Sequence, residues 1–284
     1  MADPISRGHL IAMPYPGRGH INPMMNLCTL LASKELIITF VLTEEWLGLI
    51  DSRPKAPNIR LLSIPNVLPS ETNRAADFGS FIDAVYAKME APFRQLLKEL
   101  DLPPTCILSD FFLPWMPSVG NQLNIPVVVL WTMAPSLFSI HFHHDMLVAR
   151  NHSPVVDRSA AMRAQAVVFT SFHDLQPQVI KVMERKLLPM PIYTVGPSIP
   201  YTDNRARLGN KNTVGREEIA RGVKRVMDLN DSQGKEIRRI ALELQESCHR
   251  AVQAGGSTPN NIAAFARKFI QGSTMRTGEN TSES

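Results

Sequence analysis

His20 and Asp110 are the side chains whose types and surroundings best suit proton transfer. His20 lies in the run Pro14-Tyr15-Pro16-Gly17-Arg18-Gly19-His20-Ile21-Asn22-Pro23, directly after the apolar stretch Leu10 to Met13. Asp110 follows another apolar stretch, in Leu108-Ser109-Asp110-Phe111-Phe112. A carboxylate that accepts an imidazole N–H orients the ring, stabilises its charged form and makes the other nitrogen a better general base. From spacing alone two plainer readings stand beside this one: His20 as a residue that starts a helix, and Asp110 as the cap of the next helix. The two glycines of the first turn let backbone approach a ligand closely. Pro23 suits the first turn of the helix that follows, whose free N–H groups attract anions. A Rossmann dinucleotide fingerprint would need a third glycine where Asn22 stands, and Pro23 beside it is foreign to that pattern, so NAD is set aside.

A second chemistry-bearing cluster is His141, His143, His144 and Asp145. Three of these are three or four apart on one helix face, but no distant Cys or His motif completes a metal site, so packing is the preferred reading and no metal is expected. Neither a Gly-x-Ser-x-Gly elbow nor a P-loop occurs.

Positioning these residues falls to seven short runs rich in β-branched residues: Leu10 to Met13, Ile37 to Thr43, Ile59 to Ile64, Cys106 to Ser109, Val127 to Trp131, Ala166 to Thr170 and Ile192 to Val195. They read as strands, and most precede a helical pattern, at Pro23 to Ser33, Ala76 to Leu100, Pro135 to Ala149 and Leu175 to Leu187. In the long pattern Phe81, Val85, Met89, Phe93, Leu96 and Leu100 make one stripe, which Pro92 kinks or divides. Strands apolar throughout suit burial on both faces, so the expected fold class is α/β, a doubly wound parallel sheet. Ligands bind such sheets at the carboxyl ends of the strands, the edge that carries both His20 and Asp110.

After Pro200 the chain becomes polar as far as Gly215, and beyond that only helices are expected, with Asp231 or Ser232 capping the second of them. The expected organisation is a sheet domain over 1–200, a linker over 201–215, helices over 216–271 and a frayed tail over 272–284. With 284 residues, 44% hydrophobic and 20% charged, the make-up is that of an ordinary globular protein. The net charge of +4 arises wholly beyond Thr202, where basic residues alternate with acidic ones and no aromatics interleave them. A solvated helix face, not a nucleic-acid site, is therefore expected. Three dispersed cysteines support no disulfide framework, and no leader-like or membrane-spanning apolar run is present, so a soluble protein of the reducing cytoplasm is expected.

Taken together, Met13 to Met24, Ser109-Asp110-Phe111-Phe112-Leu113-Pro114-Trp115, Trp131-Thr132 and Tyr193-Thr194-Val195-Gly196-Pro197 resemble the plant UDP-glycosyltransferases. The resemblance covers about residues 8 to 200 and, less distinctively, Arg216 to Ile270. It implies a GT-B architecture of two facing Rossmann-like domains, acceptor mainly on the first and UDP-sugar mainly on the second. It makes His20 the base that deprotonates the acceptor hydroxyl and Asp110 its charge partner. Gly19 and Thr132 fall on the donor side, Thr132 at a position that touches the donor's sugar. Inverting transfer of a hexose, glucose by preference, to a small lipophilic acceptor is implied, with UDP-sugar as co-substrate and neither metal nor other cofactor. Phe111, Phe112, Trp115, Phe138 and Phe142 suit an apolar acceptor pocket, although core filling explains each equally well.

The chain departs from the family in one large respect. The donor signature, with its Trp, paired His, Gly-Trp-Asn-Ser and closing Asp/Glu-Gln, is absent, and no strand-like run follows Val195. A shorter loss is expected between Ala149 and Gln165. A truncated, catalytically inactive remnant that binds a small molecule or a protein is therefore the alternative. Its interdomain face, stripped of a partner, would expose apolar surface and invite self-association.

Overall fold

The computed structural model describes residues 8–33, 36–50, 56–71, 77–149, 163–197, 216–228 and 230–271. The polar stretch 201–215, the tail 272–284 and most of the segment between Ala149 and Gln165 lie outside them.

All seven expected strands form, as β1 (His9–Met13), β2 (Ile37–Thr43), β3 (Ile59–Ile64), β4 (Cys106–Asp110), β5 (Val127–Trp131), β6 (Ala166–Phe169) and β7 (Ile192–Thr194). They make one parallel sheet in the order β3-β2-β1-β4-β5-β6-β7, the doubly wound arrangement expected. Every residue of β1, β4 and β5 is buried, which is why these strands read as continuous apolar runs without alternation.

Strand parity sorts the core into two layers. On one face Leu10, Ala12, Leu108, Val128 and Leu130 pack against α1 (Arg18–Ala32) through Met24, Leu27, Cys28 and Leu31. On the other, Ile11, Met13, Ile107 and Val127 meet α3 (Phe78–Lys88), α4 (Glu90–Lys98) and α5 (Met116–Leu123) through Phe81, Val85, Phe93, Met116 and Val119. That second layer continues under α6 (Pro135–Phe142) and α8 (Pro177–Lys186), where Trp131, Phe138, Phe169 and Met183 cluster. Short helices α2 (Glu44–Leu49) and α7 (His144–Ala149) complete this part.

Two helix boundaries differ from the sequence reading. α1 begins at Arg18 rather than Pro23, so Pro23 stands inside the helix and deletes the N–H that would have reached the carbonyl one turn back. The long pattern divides between Lys88 and Glu90, which puts Pro92 in the first turn of α4, where a missing N–H costs nothing.

Of the closing helices α9 (Arg216–Met227), α10 (Ser232–Val252) and α11 (Ser257–Ala266), the last joins the core of the sheet. Asp231 caps α10 by accepting the Gly234 N–H at 2.7 Å. α11 returns to the α1 side of the sheet, where Ile262, Phe265, Ala266 and then Phe269 join the same apolar cluster as Leu10 and Val128. Phe265 and Phe269 meet Tyr193 at ring separations of 5.9 and 6.4 Å. Asn261 Nδ2 donates to the Thr194 carbonyl at 2.8 Å and to its hydroxyl at 2.9 Å, and the Thr258 hydroxyl donates to the Gly196 carbonyl. Gly196 itself must lack a side chain, since a Cβ there would lie 2.0 Å from the Thr170 carbonyl oxygen. The charges of α10 pair with one another, Arg239 with Glu236 and Glu243, as a solvated helix face does.

One buried polar cluster sits at the amino ends of the strands. His9, fully buried, donates from Nδ1 to the Leu102 carbonyl at 2.8 Å and accepts at Nε2 from the Thr39 hydroxyl at 2.8 Å. Arg60 Nε donates to the same Thr39 oxygen at 2.6 Å. These directions follow from the Leu102 carbonyl, which can only accept, so that Nδ1 carries the hydrogen and Nε2 of the neutral ring takes the one from Thr39.

Candidate active site

Sheet order places the topological switch beside β1, whose neighbours are β2 on one side and β4 on the other. The crevice there, outside the carboxyl ends of the strands, is where open α/β sheets bind ligands. The first turn of α1 and the end of β4 both open into it. Parity then decides which side chains share a face. Leu108 pairs with Ala12 and Asp110 with Leu130, so Asp110 projects on the α1 side, and Thr132, two residues past Leu130, falls on that side too.

The structure brings the two expected partners together. His20 Nδ1 lies 2.9 Å from Asp110 Oδ2. Asp110 is 1% exposed whereas the His20 side chain keeps 22% of its surface. Asp110 Oδ1 accepts the Phe112 backbone N–H at 3.0 Å. Asp110 does not cap the next helix, since α5 starts at Met116 without a side-chain cap; one carboxylate oxygen closes the local turn after β4 and the other holds the imidazole. A carboxylate accepts only, so Nδ1 carries the hydrogen and Nε2 of the neutral ring is the basic nitrogen. Thr132 Oγ1 lies 3.2 Å from the same Nδ1, a contact that spacing did not reveal.

Aromatic rings wall this set. Tyr15 and Phe112 approach the His20 ring at 5.1 and 5.7 Å, and Phe112 stacks on Trp131 at 5.6 Å. His141 adds to the wall, 5.3 Å from Trp131. Of the expected pocket residues, Phe111 and Phe138 are buried within this aromatic group, with Phe111 4.8 Å from Trp131. Phe142 is partly exposed against His143, and Trp115 is buried away from the group, beside Phe93, with its Nε1 donating to the Val85 carbonyl at 3.3 Å. His141 reaches this wall through Phe112 and Trp131, an approach that depends on strand order and not on spacing.

Gly19 is exposed in the first turn of α1, and a Cβ built there would meet nothing within 4 Å. Steric need therefore does not explain this glycine, although the turn stays open to the crevice. The His141–Asp145 cluster is dispersed: His143 Nδ1 is 2.8 Å from the Ser139 carbonyl, and His144 lies 3.6 Å from Asp145. Among the described residues no group of three or more His, Cys, Asp or Glu side chains is arranged to hold a metal ion.

No family model matches the chain. Individual relatives do. UDP-glycosyltransferase 87A2 of Arabidopsis thaliana is 38% identical over 244 residues, 72% of this chain and 53% of that protein. UDP-glycosyltransferase 87A1 of the same plant is 36% identical over 242 residues, 70% and 54% of the two chains. This chain belongs to the plant UDP-glycosyltransferase family. It spans about half the length of the curated members it matches. The 7-deoxyloganetin glucosyltransferase of Gardenia jasminoides is a more distant member, 28% identical over 66% of this chain and 52% of its own. Among solved structures, UGT71G1 of Medicago truncatula, complexed with UDP-glucose, superposes with a TM-score of 0.57 at 18% identity, over 80% of this chain and 58% of that one. The match is one of fold, and it identifies the sheet as one layered domain of the GT-B type.

Proposed function

We propose that the chain carries the acceptor-side half of an inverting UDP-sugar-dependent glycosyltransferase, working in the cytoplasm on a hydroxyl of a small lipophilic acceptor. The observation that supports this reading is the 2.9 Å contact of His20 with Asp110 at the switch point of the sheet. His20 Nε2 would take the acceptor's hydroxyl proton as its oxygen attacks the anomeric carbon. The bond to UDP breaks on the opposite side, and the sugar inverts. Asp110 stabilises the imidazolium so formed. The aromatic wall of Tyr15, Phe112 and Trp131 suits an apolar acceptor and would keep water from the hydroxyl. Thr132 and Gly19 would face the donor, which we take to be UDP-glucose, and the reaction needs no metal.

One observation favours a second reading. The span of about half the relatives' length leaves out the donor signature, and among the described residues every strand belongs to a single sheet. Preorganised stabilisation of the leaving group is usually the largest catalytic contribution. Without it the chain would be a binding remnant, with residues 216–271 the closing helices of the lost half. Val223, Met227, Ile237, Ile240 and Leu244 are exposed on α9 and α10 and would favour self-association.

Incubation of the purified chain with labelled UDP-glucose and a panel of flavonoid and terpenoid alcohols separates the readings. Glycoside formed by the wild type and lost in His20→Ala supports the transferase; saturable acceptor binding without product supports the remnant.

A further inference from the structure

Thr132 stands just past the end of β5, where a side chain is ordinarily free to turn, yet its hydroxyl is held at His20 Nδ1. Trp131 supplies the restraint. Its indole is fully buried, and Nε1 donates to the Ala134 carbonyl at 3.0 Å, closing the turn that contains Thr132. Its own carbonyl accepts the Thr170 N–H at 3.2 Å, which ties the start of that turn to β6. On its other side the indole stacks on Phe112, the residue whose N–H holds Asp110 Oδ1 and whose ring meets His20 edge-on. One side chain therefore braces both acceptors of the His20 Nδ1 hydrogen.

We propose that Trp131 is the positioning residue of the His20 site: its indole N–H sets the Thr132 turn so that the Nδ1 hydrogen is shared between Asp110 and Thr132. The proposal deepens the reading of His20 as the base and rests on it for its functional meaning. Sharing leaves the Thr132 hydrogen no acceptor at His20, so it points away as a donor, and it restrains the ring against rotation about the Asp110 contact. Nε2 is thereby held in one orientation before any ligand arrives, which is how a supporting residue preorganises a general base.

The readout is the ring itself, so loss of turnover in this shortened chain would not affect it. The protein is labelled with 15N in its histidine rings, and the His20 signals are assigned by their disappearance in His20→Gln. Trp131→Phe keeps a ring against Phe112 but removes the N–H. It is expected to move the His20 Nδ1 signal in the same direction as Thr132→Val and by most of that amount. The double variant should move no further than Thr132→Val alone, because both remove one interaction. A folded Trp131→Phe protein with His20 at its wild-type position would overturn the proposal, as would additive shifts in the double variant. If Trp131→Phe does not fold, benzothienylalanine at position 131, which replaces only the N–H by sulfur, decides by the same comparison. A wild-type His20 signal in labelled protein that forms no glycoside would count against the transferase reading alone.

Discussion

β1 and the helix after it carry two histidines whose surroundings differ in the respect that separates scaffold from chemistry. His9, at the amino end of β1, is fully buried, and both its nitrogens are used, one by the Leu102 carbonyl and the other by Thr39. Burial pushes its imidazole below the ordinary value, the Leu102 carbonyl opposes this, and the Arg60 charge adds to the lowering. His20, past the carboxyl end, meets Asp110 through one nitrogen and keeps part of its ring at the surface. A histidine becomes available for proton transfer when a carboxylate satisfies one side of it and the crevice leaves the other. A neighbouring cation and closed walls have the opposite effect.

The sharpest way to break this contrast is to remove each ring. His20→Ala is expected to lower glycoside formation by about 10²- to 10⁴-fold, the usual worth of a general base, with little change in denaturant midpoint. His9→Ala should do the reverse. It leaves a cavity and takes the acceptor from the buried Thr39 hydroxyl, and a loss of roughly 2–4 kcal/mol is expected by urea titration, with ligand binding by the folded fraction retained. Equal effects of both variants on stability would erase the distinction.

Acid provides a gentler probe. Because the folded state holds His9 neutral to a lower pH than the unfolded chain does, the unfolded chain binds more protons over that interval. The stability due to His9 is therefore complete above the ordinary imidazole range, near ~6.5, and declines as pH falls through it until the folded-state group also protonates. Melting temperatures measured from pH 8 down to pH 5 should fall for the wild type, and fall less steeply for His9→Gln. The smallest effect belongs to Thr39→Val, which removes the bridge between His9 and Arg60 and should cost about 1 kcal/mol. A larger loss there would mean that the Arg60 guanidinium, one of whose terminal nitrogens is buried without a partner among the described residues, depends on Thr39 more than on its own exposure.

Much of this was legible in the sequence because strands buried on both faces are written as unbroken apolar runs. All seven strands could be read, and His20 and Asp110 could be placed on one edge by the rule that ligands gather there. Parity and strand order then did what spacing could not, setting Thr132 on the same face as Asp110 and gathering Tyr15 and His141 around Phe112 and Trp131. His9 gave no signal, since a lone histidine at the margin of an apolar run has no period, and its partners come from β2 and from the residues before β4. α11 was legible as a helix but not as core. Its apolar residues Ile262, Phe265 and Phe269 fit any packed face, and only the fold shows that the face is the α1 side of the sheet.

Asp110 fixes the His20 hydrogen on Nδ1 and leaves Nε2 basic. The 15N shifts of the His20 ring, recorded at alkaline pH in the wild type and in Asp110→Asn, test it most directly. The Nδ1–H tautomer is expected in the wild type and a mixture of tautomers in the variant. An Nε2–H ring in the wild type, or a tautomer indifferent to the loss of the carboxylate, would contradict it.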